Sequence, residues 1–267
     1  MANNDGLFLL RSAFYTWNSQ LVEKEFSGLE RDNEDSDLAK VFYYLGTGRN
    51  EVFKESEQLR KLAKAYETRK NIKCDRVDYK NVPVCLLMAY SCFNSEDYDS
   101  VVKFAEEMEN LDFYILAAQM YIKFGKTNFA EIVLEKMKAI NPEDVSTVIV
   151  AAWISIVTAD TQMLKESCQN MQDIIESVDN SSYILHLEAI CNALLDSGSE
   201  TSEYIDEAYE LLGESCNRKM IEGVLTYNHH ALAVSSGQKN RENLKSSQCF
   251  EEEKKMLVAK FEKLAKN

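Results

Sequence analysis

The side chains best equipped for chemistry in this chain are seven cysteines, three histidines and a dense run of acids. None of them is spaced for joint action. Cys74, Cys85, Cys92, Cys168, Cys191, Cys216 and Cys249 are scattered, with no C-x-x-C. Cys85 and Cys92 would share a helix face, but two thiols without further nearby ligands make no zinc site. Reduced, mostly buried thiols acting as small core residues are the expectation. His229 and His230 are adjacent, so on a helix their side chains diverge by about 100° and do not chelate one ion unaided. His186 stands alone. Residues 23–37, "EKEFSGLERDNEDSD", hold seven acids and two bases and read as a solvated inter-helix loop. A phosphate-binding Gly loop, H-E-x-x-H and G-x-S-x-G are all absent from the sequence. The expectation is therefore a protein that is not an enzyme, with no catalytic, cofactor-binding or metal-binding residues and no small-molecule substrate.

The elements that carry these residues follow from composition. Of 267 residues, 45% are hydrophobic and 28% charged, the balance of a globular protein. Only 9 Gly and 2 Pro are present, too few turn formers for a many-stranded β fold, and long stretches are rich in Ala, Leu, Glu, Lys and Met. An all-α protein is expected. A net charge of −14 repels phosphate backbones and anionic lipid surfaces, which disfavours nucleic acid as a partner. The N-terminal "MANNDGLFLLRSAF" lacks a basic n-region, and its apolar run is short for a signal or a span, so a cytoplasmic protein with no direct membrane insertion is expected. Residues 54–80 hold nine bases against five acids and read as a solvated helix face.

Residues 114–142, "YILAAQMYIKFGKTNFAEIVLEKMKAINP", fit two antiparallel helices better than one. Gly125 supplies the left-handed break, Asn128 helps to start the second helix, which runs to Ile140, and Pro142 stops it. Ala118 and Ala130 are the small residues that let the two backbones approach, with Tyr121 beside them, while Leu134 and Met137 face the next pair. The pattern recurs. Upstream, "VCLLMAYSCFNSEDYDSVVKFAEEMENLD" repeats it with Ala89, Val101, Ala105 and Met108; downstream, "EDVSTVIVAAWISIVTAD" sets Trp153, a core aromatic, where Tyr121 stood, and "QMLKESCQNMQDIIESV" follows. "YILHLEAICNALLDSGSETSEYIDEAYELL" sets Ala189 against Ala208, and "VLTYNHHALAVSSGQ" begins another pair. Phe250, Leu257, Phe261 and Leu264 form one stripe on a C-terminal capping helix.

This series is similar to the tetratricopeptide repeat, an α-solenoid of antiparallel helix pairs with a period of about 34 residues. Residues 1–267 then form one solenoid, less regular over 1–82, clear over 83–212, and closed by a repeat and cap over 213–267. In such a stack the first (A) helix of each pair lines a concave groove. The register puts Leu86, Tyr90, Phe93, Ile115, Gln119, Ile122, Thr147, Ala151, Ile154 and Ser155 on that lining, as the partner-binding groove. Clamps for a terminal carboxylate need several convergent cationic or amide donors; Leu86, Tyr90, Ile115, Gln119, Thr147 and Ala151 stand there instead. A stable apolar protein partner is favoured over the alternative, an adaptor or co-chaperone with variable clients.

A more specific likeness covers nearly the whole chain. "LLRSAFYTWNSQ", "VCLLMAYSCF", "AAQMYIKFGKTNFAEIVLEKMKAINPEDVSTVIVAAWISIVTAD", "HLEAICNALL" and the terminal "FEKLAKN" occur in an order and at spacings that resemble the epsilon-subunit family of coatomer, the COPI vesicle coat. The resemblance implies a non-catalytic coat subunit that clasps the C-terminal domain of the alpha subunit, and through it the rest of the coat. It implies action in Golgi-to-endoplasmic-reticulum and intra-Golgi transport, from the cytoplasm and peripherally on Golgi membranes and COPI vesicles.

Overall fold

The computed structural model describes residues 5–31, 36–69, 77–178 and 181–195. Over these residues the chain forms eleven α-helices and no strand. They are α1 (Asp5–Tyr15), α2 (Ser19–Arg31), α3 (Asp37–Thr47), α4 (Glu57–Glu67), α5 (Val82–Asn94), α6 (Tyr98–Met108), α7 (Leu111–Lys123), α8 (Thr127–Ile140), α9 (Val145–Thr158), α10 (Thr161–Val178) and α11 (Ser182–Leu194), with a 3₁₀ turn at Asn50–Phe53.

Local sequence sets the boundaries. Side-chain oxygens of Ser36, Ser56, Asn81, Asp97, Asn110, Asp144 and Ser181 each accept an N–H from the first turn of the helix that follows, satisfying donors left open there. Gly125 ends the turn after α7 at φ +65°, a backbone conformation other residues adopt only with strain. The second helix of that pair starts at Thr127, one residue before the position read from the sequence. Its cap is Lys126, which makes no side-chain bond; Asn128 is not the cap.

The acidic stretch from 23 to 31 is not a loop. It lies in α2, because Val22, Phe26 and Leu29 recur on one helix face and are buried, while Glu23, Glu25 and Glu30 flank that face without being buried. Within α4 the basic stretch falls on a solvated face, where Arg60, Lys61 and Lys64 are exposed. Ala208, His229, His230 and the expected capping helix lie outside the described residues.

The odd-numbered helices from α3 to α11 are the inner members of the pairs and are buried along most of their length; α7, for example, buries every residue from Leu111 to Ala118. The even-numbered helices from α4 to α10 bury one stripe, such as Ala130, Val133, Leu134 and Met137 of α8. Ala118 and Ala130 have no exposed surface, as a close crossing of α7 and α8 requires.

Neighbouring inner helices touch in the order α1, α3, α5, α7, α9, and α1 then meets α9. The row curls until its first member reaches its fifth. That circuit decides what the concave face offers.

Candidate partner-binding surface

Closure of the circuit rests on the polar ends of the inner helices. Arg11 of α1 donates from Nε to Asp112 Oδ1, from Nη1 to Asp144 Oδ2 at 2.5 Å, and from Nη2 to Ser146 Oγ at 3.2 Å. Asp112 sits in the first turn of α7, and Asp144 is the N-cap of α9. Each carboxylate thus faces the positive end of a helix dipole and a guanidinium at once. Tyr15, one turn on from Arg11, donates its hydroxyl proton to Asp112 Oδ1 at 2.7 Å.

Burial alone acts to lower the Arg11 pKa, but Asp112, Tyr15 and Asp144 outweigh it and hold the guanidinium more firmly charged than usual. Burial, and then the charge of Asp112, push the Tyr15 phenol well above its ordinary value.

The clamp continues to α11. Ser181, the N-cap of α11, donates its hydroxyl to the Thr16 carbonyl. The Trp17 ring stacks on Tyr183, with centroids 4.3 Å apart and planes 13° from parallel, and the Trp153 indole N–H donates to the Tyr183 hydroxyl at 2.8 Å. One short segment, from Arg11 to Trp17, therefore ties down the N-terminal ends of α7, α9 and α11. Trp153 is a half-buried residue packed against the core, as its position in the repeat suggests.

The ten residues placed on the groove by repeat register divide in two. Leu86, Ile115, Thr147, Ile154 and Ser155 are buried within the chain, none more than 4% exposed. Tyr90, Phe93, Gln119, Ile122 and Ala151 are half-buried. Tyr90 packs edge-on against Phe14 of α1, with ring centroids 5.9 Å apart, so α1 already lies on part of the face that the register assigns to a partner. Periodicity within each helix pair carries no information about whether the curl closes, and this accounts for the buried five.

Other apolar surface is open. Phe124, Val157 and Leu194, at the C-terminal ends of α7, α9 and α11, are each about half exposed. Phe129 and Ile132 of α8 are also exposed, and Phe124 packs edge-on against Tyr98. The Arg11 cluster was not legible from motifs, since its two acids lie 101 and 133 residues from Arg11 in sequence. A faint signal is the recurrence of helix-capping residues at Asn110, Asp144 and Ser181, which places three helix ends in one row.

The described residues hold no group of three or more metal-ligating side chains, and no helix among them is long and apolar enough to cross a membrane.

Residues 3–266 match the protein family described as coatomer epsilon subunit. The chain is similar to "Coatomer subunit epsilon-1" of Oryza sativa subsp. japonica, 28% identical over 137 residues, which are 51% of this chain and 45% of the relative. It is also similar to "Coatomer subunit epsilon-1" of Arabidopsis thaliana, 26% identical over 129 residues, or 48% of this chain and 44% of the relative. Each aligned region thus spans less than half the length of the relative it matches.

Proposed function

This chain belongs to the coatomer epsilon subunit family, and on that premise we propose that it acts as a non-catalytic subunit of the COPI coat, binding and stabilising the C-terminal domain of the alpha subunit. The observation that carries the reading is the family match over nearly the whole chain, on an all-helical repeat fold. Contact runs through half-buried members of the inner-helix row, Phe93, Gln119, Ile122 and Ala151, with Tyr90, which α1 already covers, and the buried five supporting them from beneath. The protein acts in the cytoplasm and, through the coat, peripherally on Golgi membranes and COPI vesicles, in transport between the Golgi and the endoplasmic reticulum and within the Golgi.

An apolar, uncharged lining suits a long-lived complex, since a partner gripped by hydrocarbon leaves slowly and depends little on ionic strength. The lining has no lysine or arginine to hold a client's terminal carboxylate, which disfavours the adaptor reading.

The test is a thermal melt with and without the alpha subunit's C-terminal domain, at two salt concentrations. A domain present at a hundredfold excess over its Kd should stabilise the protein by about 2.7 kcal/mol. The shift should survive high salt, and Ile122→Asp should reduce it without changing the helical content of the free protein. No shift overturns the assignment of the alpha subunit's C-terminal domain as the partner. A shift abolished by salt relocates the contact to the basic face of α4.

A further inference from the structure

The junction of α10 and α11 contains two thiols that the binding surface does not use. The helices are antiparallel neighbours, and their register is fixed by two side-chain bonds. Gln172 Nε2 donates to Glu188 Oε1 at 3.0 Å, and Cys168 Sγ donates to Asn192 Oδ1 at 3.5 Å. Four residues back along α10 correspond to four residues forward along α11, as antiparallel packing demands. Cys191, the residue before Asn192, therefore lies level with Cys168, close enough for Cys168 to act on its thiol. Cys191 has no exposed surface, whereas Cys168 is half-buried at the edge of the core.

We propose that Cys168 and Cys191 form a reversible redox pair, in which a hydroperoxide oxidises Cys168 and Cys191 resolves it to a disulfide that staples α10 to α11. Deprotonated Cys168 attacks the proximal oxygen of the peroxide. An S–O bond forms as the O–O bond breaks, the alkoxide or hydroxide leaves and takes up a proton, and the sulfur is oxidised to a sulfenic acid. The Cys191 sulfur then attacks the Cys168 sulfur. The S–S bond forms, the S–O bond breaks, and the departing hydroxide takes the Cys191 proton to become water. Two thiols and one hydroperoxide give one disulfide, one alcohol or water, and one further water. A thiol reductant reverses the step.

The division of roles follows from the surroundings. Cys168 and then burial push the Cys191 thiol well above its ordinary pKa, which keeps it from reacting first with peroxide, and its position beside Cys168 makes it the thiol within reach of the sulfenic acid. Cys85 and Cys92 provide an internal contrast. They lie seven residues apart on α5, about 10 Å along the helix axis, too far for one disulfide to span.

The experiment treats the reduced full-length protein with hydrogen peroxide, blocks remaining thiols by alkylation in denaturant, and maps peptides by mass spectrometry without reduction. The expected product is an intramolecular Cys168–Cys191 cross-link that disappears with dithiothreitol. It should raise the melting temperature by about 5 °C, because it closes a loop in the unfolded chain. Sulfinic or sulfonic acid at Cys168 with Cys191 still alkylated overturns the proposal, as does a cross-link only between molecules. Cys168→Ser keeps the size of the side chain and removes its thiol, and should leave Cys191 fully alkylated after the same treatment. Oxidation of Cys191 in that variant also overturns the assigned order.

Discussion

Arg11 and Asp144 stand 133 residues apart in sequence and meet at 2.5 Å. Their ion pair joins the first inner helix to the fifth, with Asp112 as the second acceptor. Removing the guanidinium leaves two mostly buried carboxylates without their cation, a far larger cost than the loss of a surface pair. Arg11→Met should therefore lower stability by about 3 to 5 kcal/mol, read as a drop in the urea midpoint. Arg11→Lys keeps the charge but loses the planar fork that reaches both acids, and should fall in between. Adding Asp112→Asn and Asp144→Asn to Arg11→Met should recover much of the loss. If Arg11→Met melts like the parent, the clamp contributes nothing to the fold.

Two substitutions in the inner row should both damage the core. Ala118→Leu forces extra methylenes into the crossing of α7 and α8, where neither small residue has exposed surface, and should cost about 1 to 3 kcal/mol. Ile154→Asp would spare the fold if the residue lined an open groove, as its repeat register implies. Its complete burial reverses that expectation. A carboxylate placed there is desolvated with no cation provided for it, and the variant should lose at least about 3 kcal/mol. Far-ultraviolet circular dichroism against temperature checks both. An Ile154→Asp protein as stable as its parent would restore the open groove.

Acid should weaken the protein through His186. Burial holds its imidazole down to about 4, from an ordinary 6.5, so the folded state keeps it neutral. As pH falls through 6.5 the unfolded chain takes up a proton that the folded chain refuses until about pH 4. Stability is thus fully present above about 6.5, declines between that value and about 4, and no longer changes from this residue below it. The loss amounts to at most about 3 kcal/mol. Melting temperatures from pH 7.5 to 4 should follow this slope, and His186→Gln should flatten it whatever that variant does to stability at neutral pH. An unchanged slope in His186→Gln would assign the acid sensitivity elsewhere.

The helix pairs were legible because each carries its own punctuation. Gly125 breaks one pair, Ala118 and Ala130 mark its crossing, and Pro142 follows it, all within about one repeat of sequence. The loop expected at 23–37 failed because charge density was weighed above periodicity. Val22, Phe26 and Leu29 are spaced for one helix face, and three apolar residues on one face outweigh acids that the same helix can carry beside it. The partner surface was legible only in part. Repeat register finds which side of a helix faces inward, but the inward side of Leu86 and Ile154 is covered by other helices of the same chain. Curvature is a sum of small rotations between pairs, and no single residue type encodes it. Arg11 could be picked out as unusual, a lone cation in an otherwise apolar and small-residue helix, yet nothing local names its acceptors.

Trp17 and Trp153 are the two tryptophans of the chain, and both contact Tyr183, one by stacking and the other by hydrogen bonding. The protein thus carries an optical gauge confined to a single joint. Excitation of tryptophan reports whether the segment after α1 is seated on α11, while the amide absorption reports helix throughout the chain. Loss of the first signal before the second, during denaturation or on adding a ligand, would show the ring of helices opening at its seam with its repeats still folded. Coincident signals would show that the seam and the repeats melt as one cooperative unit.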